Sequence, residues 1–188
     1  MTVNIRVLGI CGSLRKGSFN RMALEAAAQL MPAGMLMEHC EIGTLPHFNA
    51  DLLDRGFPAS VEVFHGALAR SDAILFASPE YNFSVSGVLK NAMDWGSRPP
   101  DRPMNGKPAA IIGASLGKSG TARGQMHLRQ ICLALDMHVV NRPEVLIGGA
   151  ANAFSPNGEL LDAIASNLMQ TLLLNLCQTV GTLRRVRS

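Results

Sequence analysis

The residues of this chain best equipped for chemistry fall in one short stretch, Gly12-Ser13-Leu14-Arg15-Lys16-Gly17-Ser18-Phe19-Asn20. Hydroxyls, a carboxamide and a guanidinium stand there among glycines, between an apolar run (Ile5 to Ile10) and an alanine-rich run of helical character (Arg21 to Met31). A strand, a polar glycine loop and a helix start make an anion site. The first turn of a helix presents N–H groups without partners and carries a partial positive charge, so a phosphate placed there gains several donors at once. Arg15 adds a planar cation that takes two phosphate oxygens together. The alternative is an ordinary loop closed by a satisfied N-cap.

Glycine spacing sorts among the phosphate ligands. Gly9, Gly12 and Gly17 miss the Gly-x-Gly-x-x-Gly pattern that lets backbone approach a pyrophosphate. Gly12 and Gly17 match a P-loop, but Ser18 stands where its lysine must reach the outer phosphates. A terminal monophosphate remains, held by hydroxyls, amides and one arginine.

The elements that must position this loop follow from periodicity and breakers. Asn4 to Ile10 reads as a first strand and Asn20 to Met31 as a first helix, ended by Pro32 and Gly34. Met35 to Ile42 is a second strand, and Gly43 to Pro58 a connection too long for a tight turn. A helix over Ala59 to Arg70 precedes Ala73 to Ala77, an uninterrupted apolar run expected of a strand buried on both faces. Helices are expected over Val88 to Trp95, Ala122 to Leu135 and Glu159 to Leu183, and strands over Ala109 to Ala114 and His138 to Ile147. Apolar residues on several faces of the last helix hint at an oligomer interface as well as packing on the sheet. Five strands alternating with five helices imply a single α/β domain over residues 1–188, a parallel sheet covered on both sides.

Polar or glycine-rich loops follow strands one, three and four: Gly12 to Asn20, Ser78-Pro79-Glu80-Tyr81-Asn82-Phe83-Ser84-Val85-Ser86-Gly87, and Ser115-Leu116-Gly117-Lys118-Ser119-Gly120-Thr121. All three lie at the carboxyl ends of their strands, where such sheets bind ligands. In strand order 2-1-3-4-5 the switch point falls between strands one and three and brings the Arg15 and Tyr81 loops side by side. One loop holds a phosphate and the other two, apolar-edged with backbone amides, frame a flat polar ring. That geometry suits FMN. Plain turns, with Tyr81 in the core, are the alternative for the second and third loops.

The runs GSLRKGSFN, SPEYNFSVSGVLKNAMDWGSRP and GASLGKSGTARGQMHLRQ resemble the NADPH-dependent FMN reductase family, and within it the bacterial chromate and quinone reductases. The likeness extends to LPHFNADL and NRPEV; Pro-Glu-Tyr-Asn followed by Gly-x-Leu-Lys-Asn-x-x-Asp-Trp is its most specific part. It implies a flavodoxin-like three-layer sandwich. It implies that Ser13, Arg15, Ser18 and Asn20 hold the FMN phosphate, that Pro79, Glu80, Tyr81 and Asn82 lie along the isoalloxazine, and that Ser115, Gly117 and Gly120 sit near its pyrimidine end. Leu116 and Lys118 depart from the small or aromatic residues common in relatives. The resemblance further implies a homodimer or homotetramer with its active site near a subunit interface. Tyr81, Arg123 and Glu144 are candidates for a polar interface network, the alternative being that Arg123 and Glu144 are separate surface residues.

The implied activity is ping-pong hydride transfer from NADPH or NADH through FMN to quinones, chromate, ferric chelates, azo compounds or free flavin. No catalytic triad is needed for it. The competing class is a flavodoxin-like electron carrier, and a redox-responsive regulatory flavoprotein is a third. Carriers tend to be acidic, whereas this chain has 17 basic and 14 acidic residues. A net charge of +3 is too small to argue for nucleic acid. Cys11, Cys40, Cys132 and Cys177 form no Cys-x-x-Cys pair and are read as buried free thiols, and the five histidines lack metal-ligand spacing. No membrane-length apolar stretch or leader pattern is visible, so the expected setting is cytoplasmic. Arg98, Arg102 and Lys118 are candidate partners for a 2′-phosphate, and Arg184-Arg185-Val186-Arg187 reads as a solvated helix terminus.

Overall fold

The computed structural model describes residues 4–187. Its elements run β1 (Ile5–Cys11), α1 (Phe19–Gln29), β2 (Met35–Cys40), α2 (Ala50–Leu53), α3 (Ala59–Arg70), β3 (Ala73–Ala77), α4 (Gly87–Gly96), β4 (Pro108–Ala114), α5 (Ala122–Ala134), β5 (His138–Val139), β6 (Val145–Ile147), α6 (Ala150–Ala153) and α7 (Ala163–Arg187). The strands form one parallel sheet in the order β2-β1-β3-β4-β5, with β6 also pairing β4. This is the expected flavodoxin-like order.

Side-chain alternation divides the core into two halves. Ile74 and Phe76 of β3 point with Leu8, Ile10 and Ile111 toward α3, α4 and α5, where Phe64, Leu68, Leu89 and Trp95 complete the packing. Leu75 and Ala77 point the other way with Val7, Ala110 and Ile112, toward Leu24 and Ala27 of α1 and Met169, Leu172 and Leu176 of α7. Strands β3 and β4 are buried along their whole length, as a parallel sheet sandwiched between helices requires. β2, at the edge, is exposed at Leu36, Glu38 and His39.

Five expectations need correction. The stretch His138 to Ile147 is two short strands rather than one. Pro143, which has no N–H for a ladder, lies between them. The long Gly43 to Pro58 connection contains α2, capped by Asn49 through its bond from Asp51 N. The last helix begins at Ala163, because Asp162 Oδ1 accepts from the amides of Ile164 and Ala165 and closes its first turn. Arg184 is not simply solvated: its guanidinium pairs with Asp72 at 2.7 Å, tying the end of α7 to the entry of β3. Of the cysteines, Cys11 and Cys132 are buried, whereas Cys40 and Cys177 are half-buried.

The Pro46–Phe48 part of the long connection is pinned by α4. Asn91 Nδ2 and Trp95 Nε1 both donate to the Pro46 carbonyl, at 2.9 and 2.8 Å, and Asn91 Oδ1 accepts from Phe48 N at 2.7 Å. The fully buried Trp95 and the half-buried Asn91 are therefore structural clamps. Lys90 and Asp94, one helical turn apart, pair at 2.6 Å on the exposed face.

At Gly113, near the end of β4, a side chain would overlap Thr121 Oγ1 and stand 2.6 Å from the Ser78 carbonyl oxygen. The second and third loops approach β4 here with no room for a Cβ. Gly113→Ala is expected to destabilise the fold by about 3 kcal/mol or more, read from the urea midpoint. A midpoint within error of wild type would contradict this packing.

Candidate functional site

The loops after β1, β3 and β4 converge on one cleft at the carboxyl edge of the sheet. Ser13, Arg15, Ser18, Asn20, Pro79, Glu80, Tyr81 and Ser115 all line it, as do Phe19, Ala114 and Leu116. Asn82, Gly117 and Gly120 do not. Asn82 sits at a turn tip, and the two glycines shape the third loop: Gly120 N donates to the Gly117 carbonyl, and Ser115 Oγ donates to the Gly120 carbonyl at 2.6 Å. Gly120 has φ 58°, a conformation for which glycine is suited.

Each wall is held by a side chain that substitutes for backbone. Ser18 caps α1, its hydroxyl accepting from Arg21 N. The amides of Phe19 and Asn20, at the first two helical positions, have no intrahelical acceptor and remain available to a ligand. Buried Asn20 spends most of its side chain elsewhere: Nδ2 donates to the Ala114 carbonyl and Oδ1 accepts from Ala114 N, both at 2.9 Å. Ser86 caps α4 and also donates to the Gly12 carbonyl at 2.6 Å. Glu80 Oε2 accepts from Gly124 N at 2.8 Å in the first turn of α5, whose own N-cap Thr121 makes no side-chain cap bond.

The cleft is electrostatically asymmetric. Arg21 forms a two-point pair with Glu41, at 2.8 and 3.2 Å, which raises the arginine's proton affinity and lowers that of the carboxyl. Arg15 is exposed, and its guanidinium donates only to the Gly17 carbonyl at 3.3 Å, so its charge has no acidic counterpart among the described residues. Of the two arginines, Arg15 retains an uncompensated positive charge. Burial pushes the Cys11 thiol up, Cys40 up to about 11 and Cys132 up to about 12, so these thiols stay protonated near neutrality. No group of three metal-ligating side chains occurs among the described residues.

Other residues singled out in the sequence are engaged away from the cleft. Arg98 lies 4.9 Å over the Phe48 ring and donates to the Asp94 carbonyl and Ser97 Oγ. Arg102 lines a hollow at the opposite end of the sheet with Asp72 and Arg184. Of the three cations considered for a 2′-phosphate, only Lys118 is on a loop of the cleft. Arg123 stacks 4.1 Å from the Phe83 ring centroid and Glu144 pairs with Arg142, so within one chain they do not join Tyr81 in a network.

What the sequence reading missed are Phe19, Ala114 and Leu116 as lining, and Ser86, Thr121 and Gly124 as supports. Phe19 carried a usable signal, being the first residue after an N-cap serine. The backbone partners Ala114 and Gly124 carried none.

A doubly wound parallel sheet with its cleft at the switch point defines a flavodoxin-like protein. The chain belongs to the NADPH-dependent FMN reductase family, whose model matches residues 5–152. It is similar to an NAD(P)H-dependent FMN reductase of Pseudomonas aeruginosa, at 53% identity over 184 residues covering 98% of this chain and 100% of that protein. A quinone reductase of Escherichia coli is 43% identical over 165 residues, covering 86% and 88% of the two chains. Among solved structures, the flavoenzyme NAD(P)H:(acceptor) oxidoreductase FerB from Paracoccus denitrificans superposes with a TM-score of 0.86 at 33% identity, covering 95% and 98%.

The role of Asn20 can be isolated chemically. Asn20→Asp keeps the acceptor for Ala114 N but sets a carboxylate oxygen against the Ala114 carbonyl. It is expected to lower stability by about 2 kcal/mol, seen as a reduced denaturation midpoint. A variant as stable as wild type would show that the bridge contributes nothing.

Proposed function

We propose that this chain is an FMN-dependent NAD(P)H oxidoreductase that delivers electrons to quinones and to other small acceptors such as chromate, ferric chelates, azo compounds and free flavin. The observation carrying this reading is a cleft that combines a capped helix start and an uncompensated arginine with two further loops set to frame a ring. The donor set fits a monophosphate ester: Ser13 and Ser18 hydroxyls, the Phe19 and Asn20 amides and the Arg15 guanidinium, with no acidic side chain in the loop. Asn20 serves by its backbone amide, its carboxamide being largely committed to Ala114.

Pro79, Glu80 and Tyr81 on one side and Ser115 and Leu116 on the other frame the ring, with Asn82, Gly117 and Gly120 shaping the two loops behind them. When bound, FMN supplies reversible two-electron chemistry between a pyridine nucleotide and the acceptor. The protein binds, orients and admits. Ser13 and Ser18 are nearly buried, whereas Tyr81 is 50% and Leu116 66% exposed, so the phosphate end is enclosed and the ring end opens to solvent. Donor and acceptor use that one opening in turn, which accounts for a ping-pong order.

The rim also supports self-association. Leu14, Tyr81, Phe83 and Leu116 are all more than half or about half exposed around the cleft. Exposed apolar surface of this kind marks an association site, and we assign it to a homodimer or homotetramer. Four cysteines without disulfides suit a reducing, cytoplasmic setting for a single-domain enzyme of residues 1–188. Among the described residues no helix is long and apolar enough to cross a membrane.

Purified protein is expected to retain FMN, oxidise NAD(P)H with a quinone, and give parallel lines in two-substrate kinetics. Flavin retention without pyridine-nucleotide oxidation would favour the electron carrier instead. Arg15→Ala is expected to weaken FMN binding roughly tenfold or more with an unchanged melting temperature. Unaltered flavin affinity would remove Arg15 from the phosphate site.

A further inference from the structure

The turn from Glu80 to Ser84 is built in a way that its position in the cleft does not by itself require. Tyr81 and Ser84 exchange both backbone hydrogen bonds at 3.0 Å, closing a two-residue hairpin. Its tip residues, Asn82 and Phe83, have φ of 50° and 67°. Asparagine tolerates this left-handed conformation, but for phenylalanine it is strained and persists only when surrounding contacts over-determine it.

Contacts on the turn come from the first two turns of α5. Glu80 Oε2 accepts from Gly124 N at 2.8 Å, the Arg123 guanidinium lies 4.1 Å from the centroid of the Phe83 ring, and His127 Nδ1 is 3.0 Å from Ser84 Oγ. Backbone approaches backbone as well. A Cβ on Gly124 would stand 3.2 Å from the Ser84 carbonyl oxygen and 3.3 Å from Glu80 Cβ.

We infer that Glu80 is a positioning residue: by capping α5 it fixes the Glu80–Ser84 hairpin as a preset wall of the ring slot. The inference rests on the FMN reading for what the slot holds, but the clamp itself belongs to the protein alone. Three features single out Glu80 within it. Its bond is the contact nearest the cleft, since Glu80 lines the cleft while Gly124 and His127 do not. It satisfies a helix-start N–H that Thr121 leaves without a side-chain cap. It also places a carboxylate at the positive end of α5, where the helix field compensates its charge instead of opposing electrons arriving in the cleft.

Tyr81 is the only tyrosine in the chain, so biosynthetic 3-fluorotyrosine gives one fluorine resonance that reports the hairpin with or without flavin. In the flavin-free full-length protein, Glu80→Gln, which keeps an oxygen for Gly124 N, is expected to leave that resonance at the wild-type shift. Glu80→Ala is expected to displace or split it. Gly124→Ala, which improves helix propensity while crowding the hairpin, is expected to displace it too, without lowering the melting temperature. FMN titration is expected to follow the same order: about tenfold weaker binding for Glu80→Ala, and binding within about threefold of wild type for Glu80→Gln.

A wild-type resonance in Glu80→Ala overturns the clamp whatever the flavin result. If Glu80→Gln binds FMN as poorly as Glu80→Ala, the carboxylate acts by charge and the positioning role falls. A wild-type chain that fails to bind FMN refutes the proposed function, while the fluorine signal of the flavin-free protein still decides the clamp.

Discussion

The site depends on how the end of β4 is satisfied. β3 stops at Ala77, with Ile112 as the last β4 residue in its register, so Ala114 extends beyond the neighbouring strand. On a strand, the N–H and C=O of one residue face the same side, and here both face the space that β3 has vacated. The Asn20 carboxamide fills it, accepting from Ala114 N and donating to Ala114 O. A side-chain amide thus continues a ladder that the backbone has abandoned. An unpaired pair of buried backbone groups would cost several kcal/mol, of order 1 to 3 for each group. Because Asn20 is the second residue of α1, the same bond sets where that helix starts relative to the third loop.

Two further bonds extend this logic around the cleft. Ser86 joins the first loop to α4 through the Gly12 carbonyl, and Glu80 joins the second loop to α5 through the Gly124 amide. Each of the three residues meets a backbone group of an element distant in sequence. Glycine then permits the close approach that such bonds require. Gly12 would place a Cβ 3.0 Å from Pro79 Cδ, and Gly148 would drive one into the backbone of Lys118 on the third loop.

This division explains what was legible in the sequence. The strand–loop–helix unit around Arg15 obeys local rules, as do the apolar run Ala73 to Ala77 and the serine caps, and the parallel sheet followed from the alternation of strands and helices. The convergence of three loops on one cleft followed from topology. Division of labour within the cleft did not, because it is set by contacts such as Asn20 with Ala114 and Glu80 with Gly124, which are 94 and 44 residues apart. Asn20 reads in the sequence as a phosphate donor, and only its pairing shows that the carboxamide is spent on β4. The fifth strand was misjudged for a local reason: Pro143 interrupts the run, and a breaker inside an apolar stretch outweighs the hydrophobicity around it.

On the proposed reading, the same bonds bear on how a small pocket would hold a flat cofactor. Ordering a loop at the moment of binding costs about 1 to 2 kcal/mol per residue in backbone entropy, so ordering only about six loop residues would consume most of a micromolar binding energy, about 8 kcal/mol. Loops tied to helix starts and strand ends in advance avoid that cost, leaving the phosphate contacts to supply affinity. On that reading the tied elements would lie behind the ring and around the phosphate. Leu116 and Tyr81 at the mouth are free of such ties in their side chains, and they are exposed. A tied floor with an open mouth would restrain the cofactor strongly and the acceptor weakly. Broad acceptor use is the consequence expected of the proposed arrangement, since within one chain an acceptor needs only to reach the mouth.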